Sequence, residues 1–125
     1  MSLLLDAGAL IAFERGSRTV QAFLERAQRA GEPVRTTTTV IAQVFRKPAA
    51  QVALTRLLRG VDEQSLDGER ARKTGALLSA AGCSDVVDGS LVEAARDGDE
   101  ILTSDPDDIL ALATAAKKTL IVTRV

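Results

Sequence analysis

The chain has 125 residues, 46% of them apolar and 26% charged, a make-up that describes one folded domain and excludes a disordered segment. It has no His, Trp or Tyr, which rules out His-dependent catalytic triads, most zinc sites and most base-stacking platforms; only three Phe remain. The net charge is −1, yet the stretch from Asp85 to Asp108 holds nine acids and one base, an acidic block inside an otherwise basic chain.

In chain order, SLLLD (2–6) predicts a brief buried strand. AGALIAFERG (7–16) and SRTVQAFLERAQRAG (17–31) predict helices, the second opened by a capping serine and closed by Gly31. PVRTT (33–37) predicts a second strand. TTVIAQVFRK (38–47) predicts a helix that ends before Pro48, and AAQVALTRLLRG (49–60) a further helix. DEQSLD (62–67) is read as a short third strand. DGERARKTGALLSAAG (67–82) and VVDGSLVEAARDG (86–98) predict helices, EILTS (100–104) a strand, PDDILALATAAKK (106–118) a helix and TLIVTRV (119–125) a last strand.

No linker or internal repeat divides this series, so residues 1–125 are expected to form a single domain. Strands alternating with helices predict an α/β fold with parallel pairing and helices on both faces. Such sheets bind ligands beyond the carboxyl ends of their strands. Asp6 ends the first strand, and Asp105 follows the strand 100–104. Asp85 and Asp88, three residues apart, share roughly one face of the helix that starts there. If Asp6, Asp88 and Asp105 converge, their charges demand neutralisation, and a hard divalent cation, Mg²⁺ or Mn²⁺, suits carboxylate oxygens. The competing reading of SDPDD is structural: Asp105 caps a helix, Pro106 fills its first position, and Asp107 and Asp108 favour its positive end. Cys83 cannot form an internal disulfide, which fits a reducing cytosol, and is expected to be a small buried residue. No apolar run reaches the ~20 residues that cross a bilayer, and no signal-peptide pattern opens the chain.

LLLDAGALIA, VVDGSLVEAA and ILTSDPDDI together resemble the successive acidic motifs of PIN domains, and more closely those of VapC-type toxins of toxin–antitoxin pairs. The resemblance spans essentially the whole chain. It implies a three-layer α/β/α sandwich with a five-stranded parallel sheet. It further implies a cytoplasmic Mg²⁺- or Mn²⁺-dependent ribonuclease that dimerises and is inhibited by a cognate VapB-like antitoxin. Asp6, Asp88 and Asp105 then become metal ligands and catalytic residues, Asp105 on a second ion or positioning the nucleophile. The family's glutamate on the helix after strand two corresponds here to Gln43, which brings no negative charge. Weaker metal binding is expected unless Asp85, Asp107 or Asp108 substitutes. Arg15, Arg46 and Lys47 are candidate phosphate contacts. The rival reading is a PIN-like binding module without catalysis. An aspartyl-phosphate phosphatase is disfavoured because Gly8 stands where its second aspartate belongs, and DAGAL lacks a glycine-rich phosphate loop.

Overall fold

Three consecutive leucines with no polar alternation need cover on both faces, the signature of a central parallel strand. Leu3–Leu5 is that strand, β1, and all three side chains are buried. The computed structural model describes residues Met1–Val125. Around β1 it arranges β2 (Val34–Thr37), β3 (Asp62–Gln64), β4 (Glu100–Thr103) and β5 (Ile121–Arg124) in the order β3-β2-β1-β4-β5, every pair parallel. The helices are α1 (Ala7–Glu14), α2 (Arg18–Ala30), α3 (Thr38–Val44), α4 (Val52–Leu58), α5 (Gly68–Ala81), α6 (Val86–Ala94) and α7 (Pro106–Ala116).

Strand alternation sorts the core into two layers. Leu3, Leu5 and Leu102 face one apolar cluster with Leu10, Val40 and Leu54 from α1, α3 and α4. Leu4 and Ile101 face a second one with Leu78, Leu91, Ile109 and Leu112 from α5, α6 and α7. The expected α/β/α sandwich with five parallel strands is therefore what the chain forms. No helix is long and apolar enough to cross a membrane.

Local differences have local causes. The helix expected over 49–60 begins only at Val52, after a 3₁₀ turn at Pro48–Ala50. The Gln51 side chain is recruited elsewhere: its Oε1 accepts from the Arg46 and Lys47 N–H groups at 2.7 and 3.1 Å, and its Nε2 donates to the Val44 carbonyl at 2.9 Å. That knot also ends α3 at Val44 rather than at Lys47. Helix α6 stops at Ala94, short of the expected Gly98, because the Lys118 ammonium donates to the carbonyls of Val92, Glu93 and Ala95.

At the amino end of the sheet a charged pair is buried. Arg35 on β2 donates to Asp99 Oδ2 at 3.3 Å, to the Ala94 carbonyl at 2.8 Å and to Gln64 Oε1 at 3.2 Å. Asp99 also accepts from the backbone N–H groups of Ser2 and Arg96, at 2.6 and 2.9 Å.

The order 3-2-1-4-5 reverses direction at β1. Connections run outward on one side to β2 and β3, and on the other to β4 and β5. The crevice between β1 and β4, at their carboxyl ends, is thus where such a sheet opens for a ligand.

Candidate metal centre

Asp6 leaves β1 directly into that crevice and is 4% exposed. It caps α1: Oδ1 accepts from the Ala9 N–H at 2.7 Å, while Oδ2 accepts from the Ser104 N–H at 3.3 Å. Burial raises its carboxyl above the usual 3.8, opposed by hydrogen bonds from the Thr103 side chain and from backbone N–H groups. Gly8 makes the approach of the two turns possible. A Cβ there would fall 2.1 Å from Ser104 Oγ and 2.5 Å from Ser104 Cβ.

Asp105 occupies the N-cap position of α7, with Pro106 at the first helical position, but its side chain makes no capping hydrogen bond. The capping role weighed for Asp105 is thus absent, and its own N–H is held by Thr103 Oγ1 at 2.9 Å. The carboxylate is left exposed and turned to its neighbours. Asp85 does cap: it accepts from the Asp88 N–H at 3.0 Å at the start of α6.

Carboxylate oxygens of Asp88, Asp105 and Asp108 lie within 4.8 Å of one another. No ion pair relieves them; the five salt bridges of the chain are Arg26–Glu100, Arg29–Glu25, Arg35–Asp99, Arg70–Glu93 and Lys73–Glu69. Asp88 is half-buried, and its carboxyl is pushed up to about 6, first by burial and then by the charges of Asp85, Asp6, Asp105 and Asp108. Asp108 is raised by its hydrogen bond to Asp105 and by the Asp105 charge. Hard anionic oxygens held together without a cation of the protein's own are the donor set that Mg²⁺ or Mn²⁺ takes, so these residues fit such an ion.

The structure therefore brings Asp88 and Asp105 together and adds Asp108, one helical turn after Asp105. Asp6 lies near enough for its charge to act on Asp88, though its oxygens are already engaged by backbone N–H groups. Asp107 stays in the first turn of α7, exposed. Gln43 is exposed on α3, four residues after Thr39, whose hydroxyl is 2.6 Å from Ser90 Oγ on α6. It is not part of the three-carboxylate group.

Of the three cationic candidates, Arg46 is occupied by the Ala42 and Phe45 carbonyls at the end of its own helix. Lys47 is exposed beside it, and Arg15 lines a cleft with Gly8 and Ser104. Cys83, expected to be buried, is only partly so; it lines a cavity of about 260 Å³ with Asp85, Asp88 and Asp108, because the turn after Gly82 lies at the surface. Asp108, credited above mainly with helix stability, was signalled by its spacing: three residues beyond Asp105 places both on one helix face.

No protein-family model matches this chain, and no curated protein does. Among solved structures it is similar to a chain of VapBC2 from Rickettsia felis, solved bound to a DNA fragment from its promoter. The two share 13% sequence identity with a TM-score of 0.72, over 100% of this chain and 99% of the other. At that identity the likeness speaks for architecture: the five-stranded parallel α/β fold described above is PIN-like.

Proposed function

We propose that this protein is a metal-dependent endoribonuclease, the toxin component of a toxin–antitoxin pair, built as a single PIN-like domain over residues 1–125. The observation that carries this reading is the meeting of Asp88, Asp105 and Asp108, with Asp6 beside them, at the crevice where the strand order reverses. The PIN-like architecture shared with VapBC2 supports it.

Asp88 and Asp105 are the residues to hold Mg²⁺ or Mn²⁺, with Asp6 and Asp108 completing the acidic shell. When bound, such an ion supplies an activated water and stabilises charge on the scissile phosphate. The chain's own residues do the rest. Asp6 is oriented by two backbone N–H groups and keeps the β1 and β4 turns in register. Asp88, raised to about 6 by burial and by its acidic neighbours, would release its proton on taking the cation and so serves as a ligand. Asp105 and Asp108, with carboxylate oxygens within 4.8 Å of each other and of Asp88, offer the exposed side of that shell. Gln43 contributes an uncharged amide in place of a carboxylate. The partners of this reading are an RNA substrate, a VapB-like antitoxin and a second copy of the chain.

The test is cleavage of RNA by the purified protein with Mn²⁺, compared with Asp6→Asn and Asp88→Asn. Loss of cleavage in both variants, with the fold retained, supports the reading. Equal rates in wild type and Asp88→Asn overturn it. A second reading, a PIN-like module that binds without cutting, draws on one observation: the neutral, exposed Gln43.

A further inference from the structure

The acidic cluster has two flanks of opposite character. On the α5–α6 side the 260 Å³ cavity carries Asp85, Asp88 and Asp108, and no basic side chain lines it. On the other side a cleft of about 520 Å³ runs between the last turn of α1, the α1–α2 turn and the end of β5. Arg15 is the one charged side chain among its lining residues, set against Ile11, Ala12, Ser17, Ser104 and Val125.

This cleft shares a wall with the acidic site. Ser104 lines the cleft while its N–H holds Asp6 Oδ2, and its carbonyl accepts from the Arg124 guanidinium at 3.4 Å. Arg15 makes no salt bridge, whereas Arg46 is spent on two carbonyls of its own helix.

We propose that this cleft seats the substrate strand immediately beside the acidic site, with Arg15 contacting the phosphate next to the scissile one and Arg124 standing at the rim. The inference rests on the nuclease reading and gives the substrate a direction. A polyanion cannot continue over the Asp85 flank without like-charge repulsion, but over the other flank it meets the Arg15 guanidinium, which has no carboxylate partner and can form paired hydrogen bonds to a phosphate. Ile11, 38% exposed, and Ala12 offer an apolar floor for the ribose and base between two phosphates.

The experiment is fluorescence anisotropy of a labelled, 2′-O-methylated single-stranded RNA, titrated with the full chain in Ca²⁺ across a salt series. Arg15→Ala is expected to weaken binding about tenfold and to lower the slope of log affinity against log salt by about 0.7, the value for one lost phosphate contact on a single strand. Arg15→Lys keeps most of that slope. Arg59→Ala, at the opposite end of the sheet between α4 and β3, changes neither. Mn²⁺ binding by calorimetry, unchanged in Arg15→Ala, shows that the acidic site is intact. Wild-type affinity in Arg15→Ala, an equal loss in Arg59→Ala, or no RNA binding by the wild type overturns the proposal. Arg15-dependent binding without cleavage in Mn²⁺ sinks the nuclease reading and leaves the cleft standing. Cleavage with an unchanged KM in Arg15→Ala does the reverse.

Discussion

The two ends of this sheet each bury or half-bury an aspartate, and they treat it in opposite ways. At the amino end Asp99 accepts from two backbone N–H groups and from Arg35, so its charge is fully answered within the chain. At the carboxyl end Asp88 is surrounded by Asp85, Asp6, Asp105 and Asp108, and its carboxyl rises to about 6. Burial alone does not separate the two; the supply of partners does. A carboxylate with a structural task comes with its donors, and one left among its own kind awaits something from outside.

The sharpest way to break this contrast is Asp99→Ala. It strands the Arg35 guanidinium, only 5% exposed as a residue, and is expected to cost about 3–5 kcal/mol in urea unfolding at pH 7. A loss below about 1 kcal/mol would mean that the pair is no better answered than the acidic cluster. Next in size, Gly8→Ala pushes a methyl group into Ser104 and should cost about 1–3 kcal/mol while displacing Asp105. Ser104→Gly in the same chain should restore most of that stability; no restoration would mean the clash lies elsewhere.

Asp88 gives an effect of opposite sign. Its folded carboxyl is raised from 3.8 to about 6, so well below pH 3.8 it is neutral in both folded and unfolded chains and costs nothing. Between those values the unfolded chain ionises first and stability falls as pH rises; above 6 the full penalty stands. Asp88→Asn should therefore stabilise the metal-free protein at pH 7 by on the order of 1 kcal/mol, discounted for its partial exposure, and flatten that part of the pH profile. For the same reason Mn²⁺ should raise the Tm of the wild type more at pH 7.5 than at pH 5. Equal shifts at both pH values would separate the ion from these carboxylates. The smallest change is expected from Gln43→Glu, exposed and screened by solvent: a modest tightening of Mn²⁺ binding by calorimetry, with no tightening meaning that α3 does not face the ion.

Strands β1, β4 and β5 and the parallel pairing follow from short apolar runs alternating with periodic segments, and so does the emergence of Asp6 and Asp105 at one sheet edge, whereas β3, the polar Asp62–Gln64, carries no such signal. What the sequence could not disclose is side-chain competition. Gln51 reads as a helical residue, yet its amide ties down the end of α3 and delays α4. Asp105 reads as a cap, yet its carboxylate makes no capping hydrogen bond and meets Asp88 and Asp108 instead. Arg15 and Arg46 look alike just past the ends of α1 and α3, and only the fold shows one lining a cleft and the other folded back on its backbone. Asp108 was visible as one of several helix-start acids, set apart from Asp107 only by its three-residue spacing from Asp105.

The register of β1 against β4 carries a consequence for the timing of folding. Leu3 pairs with Glu100 and Leu5 with Leu102, so β1 waits for a partner 97 residues further along the chain before one of its two neighbours exists. Contacts of such long sequence separation form late and slowly. Until residue 105 has been translated and has docked, Asp6 and Asp88 lack their companion, and a nascent chain carries an unfinished centre.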